Sequence, residues 1–170
     1  MDALLPYRTM AYNNAWANHR LLSACLRLPQ AEWTAARTGF FPSLSATLNH
    51  ILVIDWFYVD ALEGGMLGPD AWKDQEPCGT AATLLREQSA VDQRLIACVE
   101  RLRAEDLAGD VAVNRFTRIQ HERRDRLLLH LFQHQTQHRG QVHAMLRGSS
   151  VAPPQLDEFF SEAEAPLRAG

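Results

Sequence analysis

The stretch from Ser43 to Gly65 constrains the fold more than any other, because it is apolar around most of a helical circumference. At about 100° per residue, Leu44, Leu48, Ile51, Tyr58 and Leu62 form one stripe, and Thr47, His50, Ile54, Phe57 and Ala61 form a second. A helix with so little polar surface has to be surrounded by other elements. Three more helical patterns are long enough to do this. The first runs from about Tyr7, just after Pro6, to Leu28, just before Pro29, with Tyr7, Ala11, Asn14, Asn18, Leu21, Leu22 and Cys25 on one face. Another starts near Thr80 and reaches about Arg103, turning Leu84, Val91, Leu95, Cys98 and Leu102 inward. The last runs from about Arg124 to Arg147 and stops at Gly148. Ser43 has the character of an N-cap. The Gly- and Pro-rich stretch Gly65 to Gly79 has no period and reads as a loop. Between Ala108 and Glu122 a weak alternation of Val111, Val113 and Ile119 is compatible with a short hairpin. Pro153 to Glu164 is expected to lay a last turn or two across the helices. The expected fold is therefore all-α: a four-helix bundle with long connections, and a short hairpin before the last long helix, in a single domain spanning 1–170. Up-down and crossover connectivities both stay open.

Composition narrows the function classes. With 46% hydrophobic and 22% charged residues over 170 positions, the chain is neither disordered nor fibrous. A net charge of -3 offers no bulk attraction to nucleic acid or membrane. No apolar run approaches the roughly 18 residues of a spanning helix, and the N-terminus shows no basic region followed by an apolar core. A cytoplasmic location is expected. Cys25, Cys78 and Cys98 form no CxxC pair and read as reduced thiols. No phosphate-binding glycine loop or nucleophile elbow is present.

The histidines carry the functional signal. Taking Leu127 as the origin of a helical wheel, Leu131, His134, His138, Val142 and Met145 all fall within about 60° of it. His134 and His138 thus occupy positions where a buried helix should carry leucine, a conflict of pattern and residue type that marks function. Four residues apart, they project from one face at a separation that one metal ion can bridge. Two imidazoles in an apolar stripe also need polar partners, which a metal ion would supply to both. A catalytic site needs a third protein ligand and an open position. His50, itself at an apolar position of the second helix, is the best candidate, with Asp55 and His130 as alternatives. Asp55 lies about 140° from His50 on the wheel and points to a different partner. His143 faces the opposite side of its helix, toward solvent.

Four segments in this order resemble one known family: Tyr12-Asn13-Asn14-Ala15-Trp16-Ala17-Asn18, Ser45-Ala46-Thr47-Leu48-Asn49-His50, His134-Gln135-Thr136-Gln137-His138-Arg139-Gly140-Gln141, and Pro153-Pro154-Gln155-Leu156-Asp157. Together they resemble the DinB family of damage-inducible bacterial proteins. The resemblance implies a four-helix bundle, typically a homodimer, holding one divalent metal through His50, His134 and His138. Relatives in the wider superfamily include thiol S-transferases that use mycothiol or bacillithiol, and thiol-dependent maleylpyruvate isomerases. Many members carry histidine where this chain has Gln137, a position not expected to ligate. The expected activity is therefore metal-dependent thiol transfer to a small electrophile, with zinc or nickel as the ion and a low-molecular-weight thiol as co-substrate. Hydrolysis by metal-activated water is the alternative, and a non-catalytic metal-binding stress-response dimer is the other.

Several further residues are open to two readings. Arg139 and Gln141 either orient a ligand or substrate or serve packing alone. Asn14 and Asn18 line the metal pocket or bond to backbone. Arg115, Arg118, Arg123, Arg124 and Arg126 gather at a helix N-terminus, where their charge opposes the macrodipole. They form an anion site or a solvated face. Trp16 falls outside the inward stripe of its helix, where either a second copy covers it or it packs on the loops.

Overall fold

The computed structural model describes residues 2–157. The chain is mostly helical, with one small sheet. Four long helices, α1 (Leu5–Cys25), α3 (Leu44–Leu62), α4 (Ala81–Glu100) and α5 (Arg124–Leu146), supply the core, and a single turn, α2 (Gln30–Trp33), sits in the first connection. Local chemistry sets the boundaries. Ser43 caps α3 by accepting from the Ala46 amide at 3.0 Å, and Thr80 caps α4 by accepting from the Thr83 amide at 3.2 Å. The loop after α3 contains a 3₁₀ turn, Gly68–Trp72, that packs under α3.

The packing settles the connectivity. Both α1 and α3 lie against α4 and α5, so α1 and α3 occupy opposite sides of the group. Side-chain pairs give the directions. Arg8 with Glu100 and Asn18 with Asp92 make α1 and α4 antiparallel. Asp55 with Gln88 and Glu63 with Arg94 make α3 and α4 parallel. Thr47 with Met145 and Tyr58 with His130 make α3 and α5 antiparallel. Two consecutive parallel helices need a connection that returns along the whole length of α3, about 28 Å at 1.5 Å per residue. The Gly65–Gly79 stretch does this, and Asn49 holds its end: the Asn49 side chain donates to the Cys78 carbonyl at 3.0 Å and accepts from the Cys78 amide at 2.9 Å.

The expected hairpin is present and fills nearly the whole window in which its weak alternation falls. Strands β1 (Asp110–Arg115) and β2 (Arg118–Arg123) pair antiparallel, with Val113 opposite Gln120 and Arg115 opposite Arg118. A two-residue loop of this kind favours positive φ, and Phe116 takes it at 40°. Val111 and Val113 turn inward onto α3 and are buried.

Three expectations need correction. Trp16 is 1% exposed and therefore offers no surface to a second copy. The reason is that α1 touches two neighbours, α4 and α5, so its buried arc is wider than one stripe. His143 is half-buried, because the chain after α5 turns back and brings the Pro154 carbonyl to 3.0 Å from its Nε2. Residues Pro153–Asp157 form no helix, and the rest of the expected last turn, to Glu164, lies outside the described residues. No helix among the described residues is long and apolar enough to cross a membrane.

Candidate metal centre

His50 stands in the second turn of α3, and His134 and His138 stand on successive turns of α5. Antiparallel packing of the two helices brings all three together. Their ligand-capable nitrogens lie within 4.8 Å of one another, and the ring centroids are 4.5–5.0 Å apart. The Nε2 atoms of His50 and His134 face each other at 3.0 Å. Burial pulls the His50 imidazole down to about 4 and that of His134 to about 3, with the neighbouring imidazoles adding to the effect. Both rings are thus neutral at pH 7, and their Nε2 atoms point at one another.

The donor set fits a divalent ion. His138 presents Nδ1 to Gln141 Oε1 at 2.9 Å, an outer hydrogen bond that sets Nδ1–H as the donor and leaves Nε2 free. Gln141 therefore orients one of the three rings, as one of its two sequence readings held. Nitrogen-only donation suits zinc or nickel better than a hard cation. Phe41, half-buried in the connection before α3, lies 4.3 Å from the His50 ring and 5.6 Å from that of His138. It walls one side of the triad. Nothing in the sequence marked it, because it belongs to an irregular segment whose direction only the tertiary fold sets.

The two alternative ligands are elsewhere. His130 leans edge-on against Tyr58 at 5.3 Å, and its ring is 6.4 Å from that of His134. Asp55 points into the centre of the four helices. There it joins a buried polar cluster to which every long helix contributes: Asn14 and Asn18 from α1, Asp55 from α3, Gln88 and Asp92 from α4, and Gln135 and Arg139 from α5. Arg139 and Asp92 do not touch directly. Asn18 bridges them, its Nδ2 donating to Asp92 at 3.0 Å and its Oδ1 accepting from Arg139 at 3.0 Å. Asn14 does the same, with Nδ2 to Asp92 at 3.3 Å and a short bond from Arg139. Gln88 donates to both carboxylates, at 2.7 Å to Asp55 and 3.1 Å to Asp92. Gln135 donates to Asp55 and accepts from Arg139 at 3.2 Å.

Burial dominates the electrostatics of this cluster. It pushes the Asp55 carboxyl well above the usual range, helped by the nearby Asp92, and Asp92 up to about 6. Burial also lowers Arg139, to about 10, which leaves it charged at neutral pH. Arg139, Asn14 and Asn18 thus tie the helices together and do not line the triad. Arg139 and Gln135 alternate along α5 with His138 and His134, so the cluster also braces the helix that carries two of the three imidazoles. The sequence contained Asp92 and Gln88 without any mark that they met Arg139.

The three cysteines are free and buried. Burial pushes the Cys25 thiol up to about 12 and raises Cys78 and Cys98, so none supplies a thiolate at neutral pH.

A mostly helical chain with three imidazoles brought together between two antiparallel helices is of the class of helical proteins whose histidines could hold a metal ion. The DinB family model matches residues 2–168, and the chain belongs to the DinB family. It is 27% identical over 150 residues to Protein DinB of Bacillus subtilis (strain 168), covering 85% of this chain and 86% of that protein. A crystal structure of a DinB-like protein from Bacillus cereus ATCC 10987 shares the fold, with a TM-score of 0.65 at 17% identity over 84% of this chain and 89% of that one.

Proposed function

We propose that this protein is a metal-dependent enzyme that holds one divalent ion on His50, His134 and His138 and transfers a low-molecular-weight thiol to a small electrophile. The observation that carries the metal assignment is the 3.0 Å approach of two neutral imidazole nitrogens with a third beside them. Two facing lone pairs repel unless a proton or a cation lies between them. When bound, a divalent ion supplies Lewis acidity that lowers the pKa of a thiol or a water in contact with it. The chain's own part is to hold the donors. Gln141 fixes the His138 tautomer, Phe41 limits water on one side of His50, and the Arg139 cluster keeps α5 in register with its neighbours. Thiol transfer is preferred over hydrolysis on family resemblance. We read the four long helices as a four-helix bundle, and we take the working assembly to be a homodimer. With Trp16 buried, the dimer rests on the resemblance alone; light scattering at micromolar concentration should give twice the chain mass, and a monomer there would end that part of the proposal.

The deciding experiment is metal analysis of the purified protein, followed by conjugation of model electrophiles with a panel of small thiols. Turnover should require both metal and thiol. Turnover with metal alone would establish the hydrolytic alternative. Chelation separates catalysis from a structural role. A core drawn from four long helices does not need a metal to fold. Removing the ion should therefore lower stability only by its binding linkage, about 4 kcal/mol at a thousandfold excess over Kd, while ending turnover. Global unfolding on chelation would show that the ion is structural.

A further inference from the structure

Of the five arginines around the hairpin, three have evident partners. Arg123 pairs with Asp125, Arg124 donates to the Leu62 carbonyl at 3.0 Å, and Arg126 pairs with Glu122 at 3.2 Å. Arg118 is exposed at the start of β2. Arg115 differs from all of these. It is half-buried, with its guanidinium 5.1 Å over the Phe57 ring and 5.5 Å over that of Tyr58. Its Nη2 donates to the Tyr58 hydroxyl at 3.1 Å, its Nε is buried without a partner, and no carboxylate lies within 4.0 Å among the described residues. A guanidinium drawn inward and stacked on aromatic faces keeps its charge and loses rotamer freedom. Without an acid beside it, its remaining donors are unspent.

Arg115 borders a cavity of about 210 Å³ between the hairpin, α3 and α5. Its charged wall residues are Arg115, Arg126 and Glu122, so the cavity carries one net positive charge. Glu122 is already engaged by Arg126 and by the Arg123 amide at 3.1 Å. The Tyr58 hydroxyl accepts from Arg115, which frees its own proton to donate. Leu127 and Val113 give the cavity an apolar side, and His130 lines it one helical turn from His134, the two rings 6.4 Å apart. A small anion with a short apolar body meets complementary groups here.

We propose that this cavity is a carboxylate subsite, with Arg115 as its anchor and the Tyr58 hydroxyl as second donor, and that it selects substrates whose reactive end reaches the histidine triad. The anion binding stands on Arg115 alone. Its assignment to a substrate rests on the proposed metal centre.

The test is a titration of isotope-labelled protein with sodium butyrate at constant ionic strength, metal-free and zinc-loaded, followed by amide chemical shifts. Saturable shifts should appear at Arg115, Leu127 and His130 in both forms. Arg115→Met should weaken butyrate at least roughly tenfold, the effect of losing a charge-assisted hydrogen-bond pair. Shifts confined to the triad, no saturation in the wild type, or equal affinity in the variant would overturn the subsite. So would saturation by inorganic phosphate with butyrate silent. The wild-type shift map decides the matter even if the variant fails to fold. With thiol and metal present, ω-bromobutyrate should be turned over at lower KM than its uncharged amide, the deprotonated sulfur bonding the terminal carbon as bromide leaves, and Arg115→Met should raise KM for the acid alone without lowering kcat. Equal KM values for acid and amide would overturn the substrate assignment. Absence of metal from the zinc-loaded sample would instead count against the metal centre and leave the butyrate result to stand or fall separately.

Discussion

His138→Ala should leave the protein without stoichiometric metal, as measured by elemental analysis after purification and by competition with a chromophoric chelator. His138 is the one member of the triad that is buried, and it touches both other rings. Its loss leaves two protein ligands where a catalytic ion normally has three. The neighbouring residues give the prediction its resolution. Gln141→Leu keeps all three imidazoles but removes the acceptor at 2.9 Å from His138 Nδ1; affinity should fall roughly 10–100-fold, the usual cost of losing an outer-shell partner. His130→Ala should leave metal affinity unchanged, because that ring leans on Tyr58 instead. Stoichiometric metal in His138→Ala would refute the ligand set, and loss of metal in His130→Ala would revise it.

Arg139→Met should be the most destabilising single change in the interior. The side chain is 5% exposed and donates to Asn14, Asn18 and Gln135. Taking it away leaves Asp92 as a buried charge with only amides around it. Removing one partner of a direct buried ion pair costs about 3–5 kcal/mol; with Asn14 and Asn18 between these two charges the loss should be about 3 kcal/mol, which for a chain of this size lowers Tm by roughly 6–12 °C. The effect should depend on pH, and its sign follows from Asp92. That carboxyl titrates near 6 in the folded protein, above its ordinary value, so the native state holds the proton more tightly than the unfolded state. Wild-type stability from this group is therefore highest below about pH 4 and declines as pH rises through 6. Without Arg139 the Asp92 carboxyl should rise further. The variant's deficit should then be small at pH 4, where Asp92 is protonated in both proteins, and grow above pH 6. Denaturant midpoints measured from pH 4 to 8 would check this. A deficit that does not vary with pH would mean that Arg139 serves packing and not charge.

The same α5 segment explains why some of the site was legible and some was not. His134 and His138 stood out because they break an apolar stripe, and a helix places residues four apart on one face whatever surrounds it. His50 was open to inference for the same reason. The choice between it and its alternatives, Asp55 and His130, needed the packing: α3 and α5 run antiparallel, so the second turn of one meets the middle of the other. Arg139 and Gln141 were visible beside the triad but divide between two environments. At about 100° per residue, a helix sends His138 toward α3, whereas Arg139 reaches the shared interior and the side chains of α1. No local rule says that Asp92, far along the chain, completes that arginine's surroundings.

The sequence by itself determined four long helices, the cap at Ser43, and two histidines on one face, because period, capping and turn chemistry act within a few residues. The hairpin was faint in it, since Phe116-Thr117 replaces the Asn-Gly type of loop that normally announces such a turn. Only the tertiary structure decided that α3 and α4 run parallel, that Trp16 is interior, that Asn14 and Asn18 bridge Arg139 to Asp92, and that Arg115 borders a cavity with no carboxylate in contact with it. Each of these depends on which helix lies beside which. That is set by burial summed over the whole core, and no short window of residues contains it.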